Sequence, residues 1–103
     1  MNEVNFSELR PFLNEKGQLI QLPAKHKKKL TAIYYLAGKV ESGRTYTESE
    51  INDLLDKWST IHDPATLRRE MYNTGLLNRI SDGSAYWKAE VIPTQAEFIA
   101  KYI

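Results

Sequence analysis

The 103-residue chain has no cysteine, which excludes a disulfide framework and any thiolate metal site. It has two histidines, His26 and His62, and neither has a second ligand at metal spacing, so no metal and no cofactor is expected. There is no glycine-rich phosphate loop and no serine in a nucleophile-elbow context. The His62-Asp63 pair could orient a base, but Asp63 is better explained as a helix cap. Glu48 and Glu50 point to different faces of one helix. The expectation is therefore that the chain is not an enzyme and has no small-molecule substrate. No apolar run approaches the roughly twenty residues of a membrane span. The opening MNEVNFSELRPF is acidic and lacks the apolar stretch of a secretory leader, so the expected address is a bacterial cytoplasm, with no membrane partner. Internal repeats and low-complexity tracts are also lacking.

What remains is a chain with 42% hydrophobic residues and 11% aromatics, enough for one packed core at this length. The net charge of +1 names no partner, but the charges are unevenly spread. Residues 24–46 hold six basic side chains against one acidic, and residues 47–66 hold five acidic against one basic. A basic side and an acidic side are expected.

The pattern of elements is helix, helix, helix, hairpin. At the N-terminal end Phe6, Leu9, Phe12 and Leu13 suggest a short amphipathic helix that Pro11 interrupts or starts, and QLIQLP reads as a brief extended segment. From Ala24 to about Val40, Leu30, Ile33, Tyr34, Ala37 and Val40 fall on one helical face, with Lys25, Lys28, Lys29 and Lys39 opposite. Gly43 is the expected left-handed residue after it, and Tyr46 can begin a very short strand. Thr47 and Glu50 form a capping box for the second helix, whose buried stripe is Ile51, Leu54, Leu55 and Trp58. Asp63 and Pro64 start a third helix that runs to about Thr74 and stops at Gly75. LLNRI and AYWKA then flank an Asp-Gly turn, a hairpin signal in which both central residues take positive φ. Thr94 can cap a last short helix carrying Phe98, Ile99, Tyr102 and Ile103.

This order predicts an α+β, mostly helical fold: a winged helix-turn-helix with a three-helix core, a β-hairpin wing and short extra helices at both ends. The expected division is residues 1–23 as an N-terminal extension, 24–92 as the winged-helix domain and 93–103 as a C-terminal helix. That last helix either covers the core or makes a homodimer interface through Phe98, Ile99 and Tyr102.

Helical geometry divides the third helix. Leu67, Met71 and Thr74 should face the core, and Thr66, Arg69 and Asn73 lie nearly opposite, with His62 in line before them. Thr66, Arg69 and Asn73 are the side-chain types that read base edges or grip phosphate, though a solvated helix face has the same composition. Arg68 sits a quarter-turn from the buried stripe and is expected to form a structural ion pair with a carboxylate of the acidic second helix, Glu50 or Asp53. The lysine run Lys25, Lys28 and Lys29 stands in the first turns of a helix, where the macrodipole favours anions. The placement becomes favourable when phosphate binds there, and otherwise the run is a solubilising face. Alternation in the hairpin leaves one of Tyr86 and Trp87 facing outward.

GQLIQLPAKHKKKLTAIYYLA, YTESEINDLL, DPATLRREMYNTGLLNR and GSAYW together resemble the bacterial family catalogued as domain of unknown function 2087. The matching positions are Pro23, Lys25, Lys27 and Lys28; Tyr46, Glu48, Glu50 and Asn52; Asp63, Leu67, Arg68 and Arg69; Gly75 and Arg79; and Tyr86 with Trp87. The resemblance covers residues 17–88 and implies a winged-helix-like fold found in transcriptional regulators. The chain departs from the family pattern at MYNT, where Tyr72, Asn73 and Thr74 replace a small aliphatic, an acid and an aromatic residue, so the resemblance carries over no partner specificity. The expected function is a DNA-binding transcriptional regulator, or the DNA-binding module of one, with double-stranded DNA as partner. Lys25, Lys28, Lys29, Thr66, Arg69 and Asn73 are the candidate contacts. The rival expectation is a protein–protein interaction module on the same fold, favoured by the near-neutral charge and by Asp82 in the wing.

Overall fold

The computed structural model describes residues 6–103. A short 3-10 helix, Ser7–Phe12, precedes α1 (His26–Ala37), β1 (Thr45–Tyr46), α2 (Glu48–Trp58), α3 (Pro64–Asn73), β2 (Leu77–Arg79), β3 (Tyr86–Lys88) and α4 (Gln95–Tyr102). The fold is α+β. Its three strands make one antiparallel sheet in the order β1-β3-β2. Among the described residues no helix is long and apolar enough to cross a membrane.

The helices form where the apolar spacing and the caps place them. α1 buries Leu30, Ile33, Leu36 and Ala37, a stripe at spacings of three and four. It ends at Gly38, short of Val40, and Lys39 and Val40 continue in tight turns bonded to Leu36 and Ala37. α2 begins with the capping box: Thr47 Oγ1 accepts from the Glu50 N–H at 3.1 Å, and Glu50 Oε1 accepts from the Thr47 N–H at 2.9 Å. Ile51 and Leu55 are its buried residues. α4 starts with a second capping box, Thr94 with Glu97.

Segments flanking the three central helices also enter the core. The first turn is 3-10, with Pro11 inside it, because proline lacks the N–H that a continuing α-helix would use. Leu9 is fully buried, as is Leu19. Leu19 lies in the extended segment, donating its N–H to the Trp58 carbonyl at 2.8 Å and accepting from the Thr60 N–H at 2.9 Å. The stretch read as an N-terminal extension thus lends the core two leucines, each worth roughly 1.5–3 kcal/mol of burial. At the other end α4 packs on α1. Phe98 is fully buried, with the rings of Tyr34 and Tyr102 both 5.3 Å away. His26, the first residue of α1, donates through Nε2 to the Tyr102 carbonyl at 2.6 Å. Phe98 therefore belongs to the interior of the single chain and not to an open face.

The hairpin differs from the two-residue turn expected of Asp-Gly. Ile80 donates to Ala85 at 3.0 Å and Gly83 donates to Ile80 at 2.8 Å, so the loop is Ser81–Ser84 around a single tight turn. Gly83 alone has positive φ, at 77°, and Asp82 keeps an ordinary backbone because its carboxylate accepts the Ser84 N–H at 2.9 Å. The side chain supplies a turn bond that a mirror-image turn would have taken from the backbone. Alternation holds in β3: Tyr86 is buried and Trp87 is half-buried.

Candidate nucleic-acid interface

α3 is set at its start by Asp63, whose side chain accepts the Thr66 N–H at 3.3 Å, and by Pro64 as its first residue. These hydrogen bonds, with a smaller contribution from the Arg69 charge, hold the Asp63 carboxyl below its ordinary pKa. A carboxylate therefore already occupies the positive end of α3, and an incoming anion must bind elsewhere. His62, just before the cap, is exposed and has φ 60°, a left-handed conformation uncommon outside glycine. Gly75, with φ 76°, ends the helix.

The faces separate as helical spacing requires. Leu67, Met71 and Thr74 are buried. Arg69, Tyr72 and Asn73 are exposed, and Thr66 is half-buried. Among the described residues, none covers Arg69, Tyr72 or Asn73 on the outer face of the helix.

The ion pair expected between Arg68 and Glu50 is not the one formed. Arg68 Nη2 lies 3.2 Å from Glu48 Oε1, and Nη1 donates to Asn52 Oδ1. Glu48 and Asn52 are four residues apart and share one stripe of α2. Glu50 is turned back by the capping box and meets Arg44 at 3.3 Å; the Thr47 N–H is the main reason its pKa is held below the ordinary range. Arg68 also lies over the Tyr86 ring, 5.4 Å from its centroid. Arg68 thus joins α3 to α2, through Glu48 and Asn52 in place of the expected Glu50.

The lysines do not act as one patch. Lys25 is exposed at the N-cap of α1, a helix start that has no side-chain cap and no acidic residue in its first turn. Lys28 is half-buried. Lys29 Nζ lies 3.3 Å from Glu70 Oε1 on α3, so its charge is spent on an inter-helix pair. Lys39 is drawn over the Trp58 and Tyr35 rings, at 4.1 and 4.7 Å. The free N–H groups of α1 beside Lys25 and Lys28 are the part of the run able to meet an anion.

An open cleft of about 390 Å³ separates α3 from the hairpin, lined by Arg68, Arg69, Tyr72 and Asn73 on one side and Arg79 and Tyr86 on the other. Arg69 and Asn73, picked out as outward residues, meet there. Thr66 is not part of it, and neither are the lysines. Arg79 and Tyr72 were not foreseen as site residues. Arg79 pairs with Tyr86 in the sheet register, which puts both on one face of the sheet, and its guanidinium lies 4.8 Å from the Tyr72 ring centroid. Period-two spacing from buried Leu77 was the available signal for Arg79.

A family model described as an uncharacterized protein conserved in bacteria, DUF2087, matches residues 18–88, more than half of the chain. The chain belongs to this family. The DUF2087 match opens at Gln18, beside the buried Leu19, and closes at Lys88, the last residue of β3. It therefore contains every element that shapes the cleft and leaves α4 outside. No curated protein and no solved structure matches the chain.

Proposed function

We propose that this domain is a winged helix-turn-helix module that binds double-stranded DNA, as a transcriptional regulator or the DNA-binding part of one. The observation that carries the reading is the outer face of α3. Among the described residues it is open, it bears Arg69 and Asn73, and it lies on a helix that is tied to α1 by the Lys29–Glu70 pair and faces a hairpin bearing Arg79. Helix, strand, helix, helix and hairpin, with β1 added to the hairpin, is the layout in which a third helix enters the major groove and a wing flanks it. Arg69 and Asn73 have the donors and acceptors to address base edges or to grip backbone phosphate, and Lys25 and Lys28 at the open start of α1 suit backbone phosphate. Lys29, paired with Glu70, contributes orientation between α1 and α3. Thr66, half-buried, sits at the rim of the face.

Salt-dependent binding to a mixed-sequence duplex tests this reading. Binding should appear at low salt, weaken steeply as salt rises, and drop strongly in the Lys28→Glu, Arg69→Glu double variant. Absence of binding at low salt, or binding unchanged in that variant, defeats the proposal. The exposed Asp82 at the hairpin tip favours a second reading, a protein-interaction module.

A further inference from the structure

The cleft between α3 and β2 contains a charge arrangement that base reading does not require. Three arginines line it. Arg68 is neutralised by Glu48 and held by Asn52. Arg69 and Arg79 have no carboxylate within ion-pair distance among the described residues, although both are exposed. Asp63 feels the Arg69 charge, but its carboxylate is already engaged with the Thr66 N–H. Two uncompensated guanidiniums converging on one concavity repel each other unless an anion joins them.

Arg79 is also held in place. Its guanidinium lies over the Tyr72 ring, and Tyr72 remains 43% exposed, too open for its ring to be a core residue. This cation–π contact restricts the guanidinium before any ligand arrives and lowers the entropy lost on binding. Asn73 adds an amide donor beside Arg69. The volume admits a phosphate together with part of the group that it esterifies. The start of α3 cannot compete for that anion, because Asp63 fills it.

We propose that this cleft is a phosphate-binding site in which Arg69 and Arg79 supply the charge from opposite walls, Asn73 donates from its amide, and Tyr72 is the positioning residue for Arg79. The ligand is a phosphate ester. In its duplex form, as a backbone phosphodiester, the inference rests on the DNA-binding reading; a phosphorylated small molecule offers the same chemistry independently of it.

The experiment has two arms on the full chain. The first titrates two fluorescent duplexes of unrelated sequence against wild type, Arg79→Gln, Arg79→Lys, Tyr72→Leu and Tyr72→Phe over a range of salt. The second follows the arginine side-chain NMR signals of wild type and Arg79→Gln as inorganic phosphate and glycerol phosphate are added. Arg79→Gln should weaken both duplexes equally, roughly three- to tenfold at low salt, and reduce the salt slope by about one. Arg79→Lys should keep the slope with weaker binding. Tyr72→Phe should behave as wild type, whereas Tyr72→Leu, which keeps the Arg79 charge, should weaken binding with the slope kept, as Arg79→Lys does.

If wild type binds no duplex, yet phosphate or glycerol phosphate shifts the Arg69 and Arg79 signals and Arg79→Gln abolishes the response, the cleft stands with a free phosphate ester as ligand while the DNA reading fails. If duplex binding is intact and Arg79→Gln changes neither affinity nor slope, the cleft proposal is overturned and the DNA reading survives. A change in preference between the two duplexes assigns Arg79 to base contact and also overturns it. Silence in both arms removes both proposals.

Discussion

Adjacent Arg68 and Arg69 should respond to the same substitution in opposite ways, and Arg→Met tests this because methionine keeps much of the apolar stem. The Arg68 side chain is 18% exposed, with Asn52, Glu48 and the Tyr86 ring as partners. A hydrogen bond to a charged group contributes about 1.5–3 kcal/mol. The Glu48 side chain is 55% exposed, so that pair adds no more than about 1 kcal/mol. The cation–π contact adds roughly 0.5–1 kcal/mol, part of which the methionine sulfur recovers. Together these predict a loss of about 2–4 kcal/mol for Arg68→Met. At roughly 4–8 °C per kcal/mol for a domain of this size, the melting temperature should fall by about 10–30 °C. Arg69, exposed and unpaired, should change stability by less than about 0.5 kcal/mol while weakening duplex binding. Urea denaturation followed by circular dichroism, with duplex titration of the folded variants, measures both. A double-mutant cycle should show stronger coupling of Arg68 to Asn52 than to Glu48. Equal stability losses for the two arginines, or a cycle that couples Arg68 mainly to Glu50, would refute the assignment.

Other consequences are as direct. Phe98→Ala should cost about 3–5 kcal/mol at every protein concentration; a concentration-dependent loss would mean that α4 is an intermolecular element. Gly75→Ala places a side chain at φ 76° and should destabilise by roughly 1–2 kcal/mol, whereas Gly38→Ala, at φ −63°, avoids that strain; similar denaturation midpoints for the two would contradict it. The capping boxes hold Glu50 and Glu97 below their ordinary pKa, chiefly through the Thr47 and Thr94 N–H groups. Because folding lowers these values, the stabilisation is complete above the unfolded carboxylate value of about 4 and is lost as pH falls through the folded one. A Glu50→Gln, Glu97→Gln protein should therefore lose less stability than wild type between pH 5 and pH 2, and an identical acid profile in denaturant titrations would discount the caps.

Much of the fold was legible because its signals are local. The Thr47–Glu50 box, Asp63-Pro64 at a helix start, Gly75 at its end and the alternation at Tyr86 each act within a few residues. What was hidden depends on distance in three dimensions. Nothing near Leu19 announces that its backbone pairs with Trp58 and Thr60. Glu50 looked like the partner of Arg68 because spacing alone cannot say that its carboxylate is bound to its own helix start. The outward face of α3 is readable from period 3.6, which places Arg69 and Asn73 on it. Arg79 is not readable in that way, since it joins them only through the way the hairpin docks.

The sheet that closes the cleft is made of strands of two and three residues, and β1 reaches β3 across α2 and α3. Contacts of such separation form after local helices, because the intervening chain must first be ordered. So few ladder bonds also make this wall the first to open in the native state. The Ile80 amide, bonded to Ala85, should exchange with solvent well before those of α1. Any phosphate that draws Arg79 toward Arg69 then couples to that opening: it should slow exchange at Ile80, making the hairpin's own breathing a gauge of occupancy.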